Sequence, residues 1–168
     1  REELMTAAEG NPALLLAVIH RLSPDQLGGR RALPRPRVDA ETLAEVLGGI
    51  LTGLPQRHTG LLLTTAAAVR ATGEPDADAD LVRRAAGTPA PGPLPDVLAL
   101  AGGRLRFHSA LLGRAVYAAA PPERRRAAHR ALAEALTGPH GALALLHRSW
   151  TVTGHAPVLA AALAAAKD

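Results

Sequence analysis

Phe107, Tyr117 and Trp150 are the only aromatic side chains this 168-residue chain can place in a core. Hydrophobic residues nevertheless make up 48% of it, most of them alanine and leucine. Both favour helix, and short alanine side chains let helices approach closely. The composition therefore predicts a mostly α fold, and the length suffices for one ordinary domain or two small ones.

The periodicity agrees. Glu2 to Ala8 reads as a helix closed by Gly10. Asn11-Pro12 starts the next one, with Asn as N-cap and Pro at the first helical position, and Leu14, Leu15, Val18, Ile19 and Leu22 follow at helical spacing. Ser23 to Val38, broken by prolines and Gly28-Gly29, is a connector. After Asp39, the residues Leu43, Val46, Leu47, Ile50, Leu51 and Leu54 form one unbroken apolar face. A further helix runs from Pro55 to about Val69, then an Asp/Pro-rich turn over 73–79, a short helix over 81–86 and a proline-rich loop.

The β signal is confined to 97–107. Val97–Ala101 and Arg104–Phe107 flank Gly102-Gly103, as a two-residue hairpin turn requires. A helix over 110–119 follows, with Leu112, Val116 and Ala119 on one face. The next spans 122–136, with Ala128, Leu132, Ala135 and Leu136 inward, and two weaker helices over 141–150 and 157–166 close the chain.

Several chemistries are excluded. There is no cysteine, which removes disulfides and thiolate metal sites and fits a reducing cytoplasm. No run reaches the roughly 18 apolar residues of a membrane span, and no signal segment opens the chain. A P-loop needs a lysine after its glycine, and the only lysine is Lys167. No G-x-S-x-G elbow occurs, so Ser109 beside His108 is not a hydrolase nucleophile. The net charge of +4 is carried by scattered arginines rather than a basic stripe. No catalytic or metal-ligating set is expected, and the chain is not read as an enzyme.

Among the seven histidines, His140 and His147 read as solvated surface groups about 10 Å apart, too far to share a metal. His129 reads as partly buried packing, and His20 and His58 show no partner. His108 stands out by position, at the end of a strand and the start of a helix. There it reads as a polar cap beside free N–H groups that favour an anion.

Two pieces of the chain together resemble one family. Ala8-Glu9-Gly10-Asn11-Pro12-Ala13-Leu14-Leu15 resembles the G-x-P segment that ends the nucleotide-binding core of STAND-type signalling ATPases. Arg106 to Ala120, continued by Pro121-Pro122-Glu123-Arg124-Arg125-Arg126-Ala127-Ala128-His129-Arg130, resembles a hallmark stretch of the large ATP-binding regulators of the LuxR family. The resemblance spans most of 1–137. It implies a helical bundle with a winged-helix module and the start of a helical-repeat arm. The domains implied are 1–37 (end of the ATPase lid and connector), 38–120 (winged helix) and 121–168 (start of the sensor arm).

The resemblance also implies that the chain, which opens on Arg1 inside a helical pattern, is a piece of a longer cytoplasmic protein. An ATPase core upstream and a helical arm downstream would be its partners. DNA would be met only through a distant helix-turn-helix, and no membrane is involved. ADP or ATP would bind only with that core. Pro12 maps to the proline that packs on adenine. The family's histidine, which touches the β-phosphate of ADP at the strand-helix junction, aligns without a gap to Ser109, with His108 one place earlier. Either residue is a candidate for that contact.

Two other readings stand beside this one: a free-standing winged-helix DNA binder, and a helical module that meets a protein partner. The winged-helix reading carries a structural expectation. Residues 38–120 should form one compact helical unit with a single two-stranded hairpin at 97–107; three or more strands in a sheet, or no hairpin there, would make the winged-helix assignment wrong. Leu43, Leu47, Ile50, Leu112 and Val116 should be among its most buried residues.

Overall fold

The computed structural model describes residues 2–35, 37–88, 92–136 and 141–166. It is mostly helical with a small antiparallel sheet, as the composition demands. The chain divides into two compact units, Arg1–Gly53 and Leu54–Asp168. No helix among the described residues is long and apolar enough to cross a membrane.

The first unit holds helices α1 (Glu2–Ala7), α2 (Pro12–His20), α3 (Pro24–Leu27) and α4 (Ala40–Thr52). The starts of α2, α3 and α4 are fixed locally. The Asn11 side chain accepts from the Leu14 N–H at 3.0 Å, and Asp39 accepts from the Thr42 N–H at 2.8 Å. The backbone and side-chain hydrogen bonds from Thr42 hold the Asp39 carboxyl below its ordinary value. Ser23 and Gln26 form a reciprocal capping box, which makes a short helix inside the stretch read as connector. Packing of α2 on α4 buries Leu14, Val18, Leu43 and Leu47, and Arg21 ties the pair by a 2.8 Å bond to Glu45.

Ile50 departs from the expectation. It is 49% exposed, because α4 docks through the flank carrying Leu43 and Leu47. The apolar face is wider than the partner helix covers.

The second unit is built around α5 (Thr59–Thr72), entered through a 3-10 turn (Gln56–His58). Eight consecutive residues of α5, Leu61 to Ala68, are buried. A helix apolar on every side must be surrounded, and α5 is packed by α6 (Ala79–Ala85), α7 (Ala110–Ala119) and α8 (Pro122–Ala135). Helices α9 (Gly141–Ser149) and α10 (Pro157–Ala165) follow, α9 against α8 and α10 against α9.

The sheet corrects the lone-hairpin expectation. Strands β2 (Leu98–Ala101) and β3 (Arg104–Phe107) pair as expected, with Gly102 and Gly103 both at positive φ. A third strand, β1 (Asp76–Asp78), adds to the free side of β3 in register Asp76–Arg106, Ala77–Leu105 and Asp78–Arg104. By the expectation's own measure, the 38–120 module with one hairpin is not what forms. Helix α4 belongs to the first unit, on the other side of the expected 37/38 boundary.

The third strand left no sequence signal because aspartate is depleted in strands and three residues show no alternation. Only Ala77 points inward. What holds β1 is pairing to β3 and the 2.6 Å ion pair of Asp76 with Arg104.

Helix α7 is also rotated from its expected facing. Leu111, Gly113, Ala115 and Tyr117 are buried, whereas Leu112 and Val116 are half-buried at the core's margin and Ala119 is exposed. The close approach of Phe107 selects this facing. A Cβ on Gly113 would stand 2.9 Å from the Phe107 ring, so glycine is what lets the strand's last side chain lie against the helix.

Candidate functional site

The junction between β3 and α7 carries two of the three residues singled out from sequence. The His108 N–H donates to the Val97 carbonyl at 3.0 Å, closing the base of the hairpin, and its side chain is exposed. The cap of α7 is Ser109, not His108: with φ −133° and ψ 131°, its Oγ accepts from the Leu111 N–H at 3.2 Å. Extended backbone at the cap and a short hydroxyl are what a helix N-terminus selects. The imidazole of His108 is thereby left outside the capping arrangement. Pro12 is exposed at the first position of α2, in the other unit.

A second polar constellation lies inside the second unit, and the sequence reading missed it. The Tyr117 hydroxyl is 3.0 Å from His129 Nε2. The Nδ1 atoms of His129 and His147 are also 3.0 Å apart. Both imidazoles are fully buried. This corrects two expectations: His147 is no surface histidine, and His129 is buried completely rather than in part. His140 lies outside the described residues.

Trp150 stacks on His129 at 5.1 Å between centroids and 13° between planes, and meets Tyr117 edge-on at 6.3 Å. The Arg70 guanidinium stands 5.3 Å from the Tyr117 ring and 5.6 Å from the Trp150 ring. Arg125 stands 5.4 Å from the Tyr117 ring.

The electrostatics follow from that enclosure. Burial pushes His129 down to about 4, and the neighbouring His147 and Arg70 push the same way. Burial alone brings His147 to about 4. Burial also raises Tyr117, against the opposing pull of Arg125 and Arg70. Near neutral pH both imidazoles are therefore uncharged, and the contact between their Nδ1 atoms needs one donor and one acceptor. His147 Nε2 ends the chain without a hydrogen-bond partner among the described residues.

No group of three or more His, Cys, Asp or Glu among the described residues could hold a metal ion. No carboxylate bonds either imidazole among the described residues. Among the described residues, no acid stands where one would orient a histidine. What the cluster does is join α7, α8 and α9 through hydrogen bonds in a low-dielectric setting, where each bond is electrostatically stronger than in water, while His147 Nε2 has no partner among the described residues.

A signal for it did exist. Ala144, His147 and Trp150 repeat every three residues, and His129 lies three before the buried Leu132, so both histidines sit on core faces. Compared with protein-family models, curated proteins and solved structures, the chain shows no significant match to any.

Proposed function

We propose that the chain is a regulatory, non-catalytic segment of a LuxR-type STAND ATPase regulator, coupling nucleotide state to opening of the parent protein. The observation that supports it most is the β3–α7 junction. An exposed imidazole, His108, directly precedes a serine-capped helix, within the stretch whose sequence resembles that family. A helix N-terminus favours an anion, and an imidazole beside it supplies a further donor.

In this reading an ATPase core elsewhere in the parent brings the P-loop and the ADP or ATP. Pro12 packs on the adenine, and His108 or Ser109 contacts the phosphates of ADP in the closed state. The parent works in the cytoplasm and meets DNA through a separate helix-turn-helix. A residue biases such an equilibrium only by interacting differently with its two states. A hydrogen bond to a charged group contributes about 1.5–3 kcal/mol, a roughly ten- to hundredfold shift of the closed-to-open ratio.

The test is ADP retention by the parent protein carrying His108→Ala, Ser109→Ala or Ser109→Asn. Asparagine keeps a capping oxygen and so separates the cap from the phosphate contact. Loss of ADP retention in one of the first two variants identifies the contact residue. Unchanged ADP affinity in all three, or a parent gene without a P-loop before Arg1, refutes the reading.

A further inference from the structure

A pocket of about 560 Å³ opens between α5, β3 and α7, entirely within the second unit. Its size falls in the range of small-molecule sites. The floor is apolar, with Phe107 and Tyr117 presenting rings and Gly113 presenting none. The polar lining is cationic. Arg70, Arg106 and Arg114 contribute three guanidinium groups against the one carboxylate of Glu74, a net charge of +2.

Among the described residues, two of these cations have no carboxylate partner. Arg21, Arg30, Arg37, Arg104 and Arg126 all have carboxylate partners, but among the described residues Arg70 and Arg106 have none. For Arg106 the cause is visible in the sheet. Its cross-strand neighbour is Asp76, and opposite charges so placed ordinarily pair. The Asp76 carboxylate is taken by Arg104 at 2.6 Å, and the other acid of β1, Asp78, caps α6 through the Leu81 N–H at 2.7 Å. Both acids of β1 are therefore engaged elsewhere, and the one carboxylate left at the pocket, Glu74, faces three guanidinium groups.

Arg70 is held differently. Two rings, Tyr117 and Trp150, lie 5.3 and 5.6 Å from its guanidinium. They orient the cation without occupying its N–H donors. A guanidinium fixed in place with free donors is suited to a carboxylate or phosphate, which it can grip with two parallel bonds.

We propose that this pocket binds a small molecule with an anionic head, carboxylate or phosphate, on a flat apolar body. The head meets Arg70 and Arg106, and the body lies over Phe107 and Tyr117. This site is separate from the nucleotide contact at His108 and Ser109 and does not depend on it.

The probe is phenyl phosphate, titrated into the full 168-residue chain by calorimetry and followed in parallel by fluorescence of Trp150, the only tryptophan. Inorganic phosphate and benzyl alcohol serve as half-ligands. Saturable binding of phenyl phosphate is expected, with both half-ligands weaker by about tenfold or more. Arg106→Ala and Arg70→Ala should each weaken binding by about tenfold, the worth of a charge-assisted hydrogen bond. Arg130→Ala, on an exposed part of α8, should leave it unchanged. Arg106 is exposed, so its replacement keeps the test valid even if Arg70→Ala disturbs the aromatic cluster. No saturable binding, inorganic phosphate binding as tightly as phenyl phosphate, or equal loss in Arg106→Ala and Arg130→Ala would each overturn the proposal.

Discussion

Acidification through the range between the free and the folded imidazole values should destabilise the second unit. His129 and His147 carry pKa values near 4 in the folded chain against 6.5 for a free imidazole. For a histidine depressed by folding, the neutral form is the native one. Its contribution is complete above the unfolded value and is lost as pH falls from 6.5 towards 4. Through that window the unfolded chain binds protons that the folded chain refuses.

At about 1.4 kcal/mol per pH unit, one such imidazole accounts for roughly 3 kcal/mol. The two do not simply sum, because His147's charge is one cause of His129's depression and acts only once His147 is protonated. Even one is a large part of a domain stability of about 5–15 kcal/mol. Arg70 and Arg125 face the cluster and oppose any added charge. Asp39 and Glu3, whose carboxyls folding holds low, lose their contributions only further down the scale and in the other unit.

The assay is urea unfolding followed by Trp150 fluorescence at a series of pH values from neutral to about 4.5. The unfolding free energy should fall steeply below about 6.5, with proton uptake approaching two. In His147→Leu the cluster loses one titrating group and the slope should drop to about half. A flat profile between neutral pH and 5, or an unchanged slope in the variant, would refute the assignment of both imidazoles as buried and neutral.

Other expectations are more local. Leu47→Ala should cost about 2–5 kcal/mol, being almost fully buried on α4, whereas the half-buried Leu112→Ala should cost clearly less, as chemical denaturation would show. Gly113→Ala should destabilise by about 1–3 kcal/mol despite alanine's better helix propensity, since its Cβ would meet the Phe107 ring at 2.9 Å; an increase in melting temperature would contradict that packing. Ser109→Ala should cost about 1 kcal/mol through the lost cap, and His108→Ala should leave thermal stability of the isolated chain unchanged.

Helices were legible where their ends are written in short-range chemistry. Asn11-Pro12 and Asp39 announce α2 and α4 because each cap lies within three residues of the N–H it satisfies. Gly102-Gly103 announces the hairpin in the same way. Tertiary choices were not legible. Strand β1 exists through a partner nearly thirty residues away, and Ile50 is exposed because a periodic apolar face does not reveal how wide its cover is. At the junction the capping residue was misassigned by one place, since His108 and Ser109 are both polar and adjacent. The histidine pair is hard to read because its members lie 18 residues apart on separate helices: alone, His129 reads as partly buried packing and His147 as a surface group, and nothing local brings the two together.

The burial of α5 on every side sets where this unit has freedom to vary. Ala67 and Ala68 leave no slack: an added methyl has to push against α6, α7 or α8, and moving α7 shifts Tyr117 and with it the contact to His129. Change at these positions is thus constrained by several neighbours simultaneously. Helix α10, which has no buried residue, lies at the opposite extreme. Over generations, sequence drift in this unit should accumulate at its C-terminal end and spare the eight-residue axis around which the other helices are arranged.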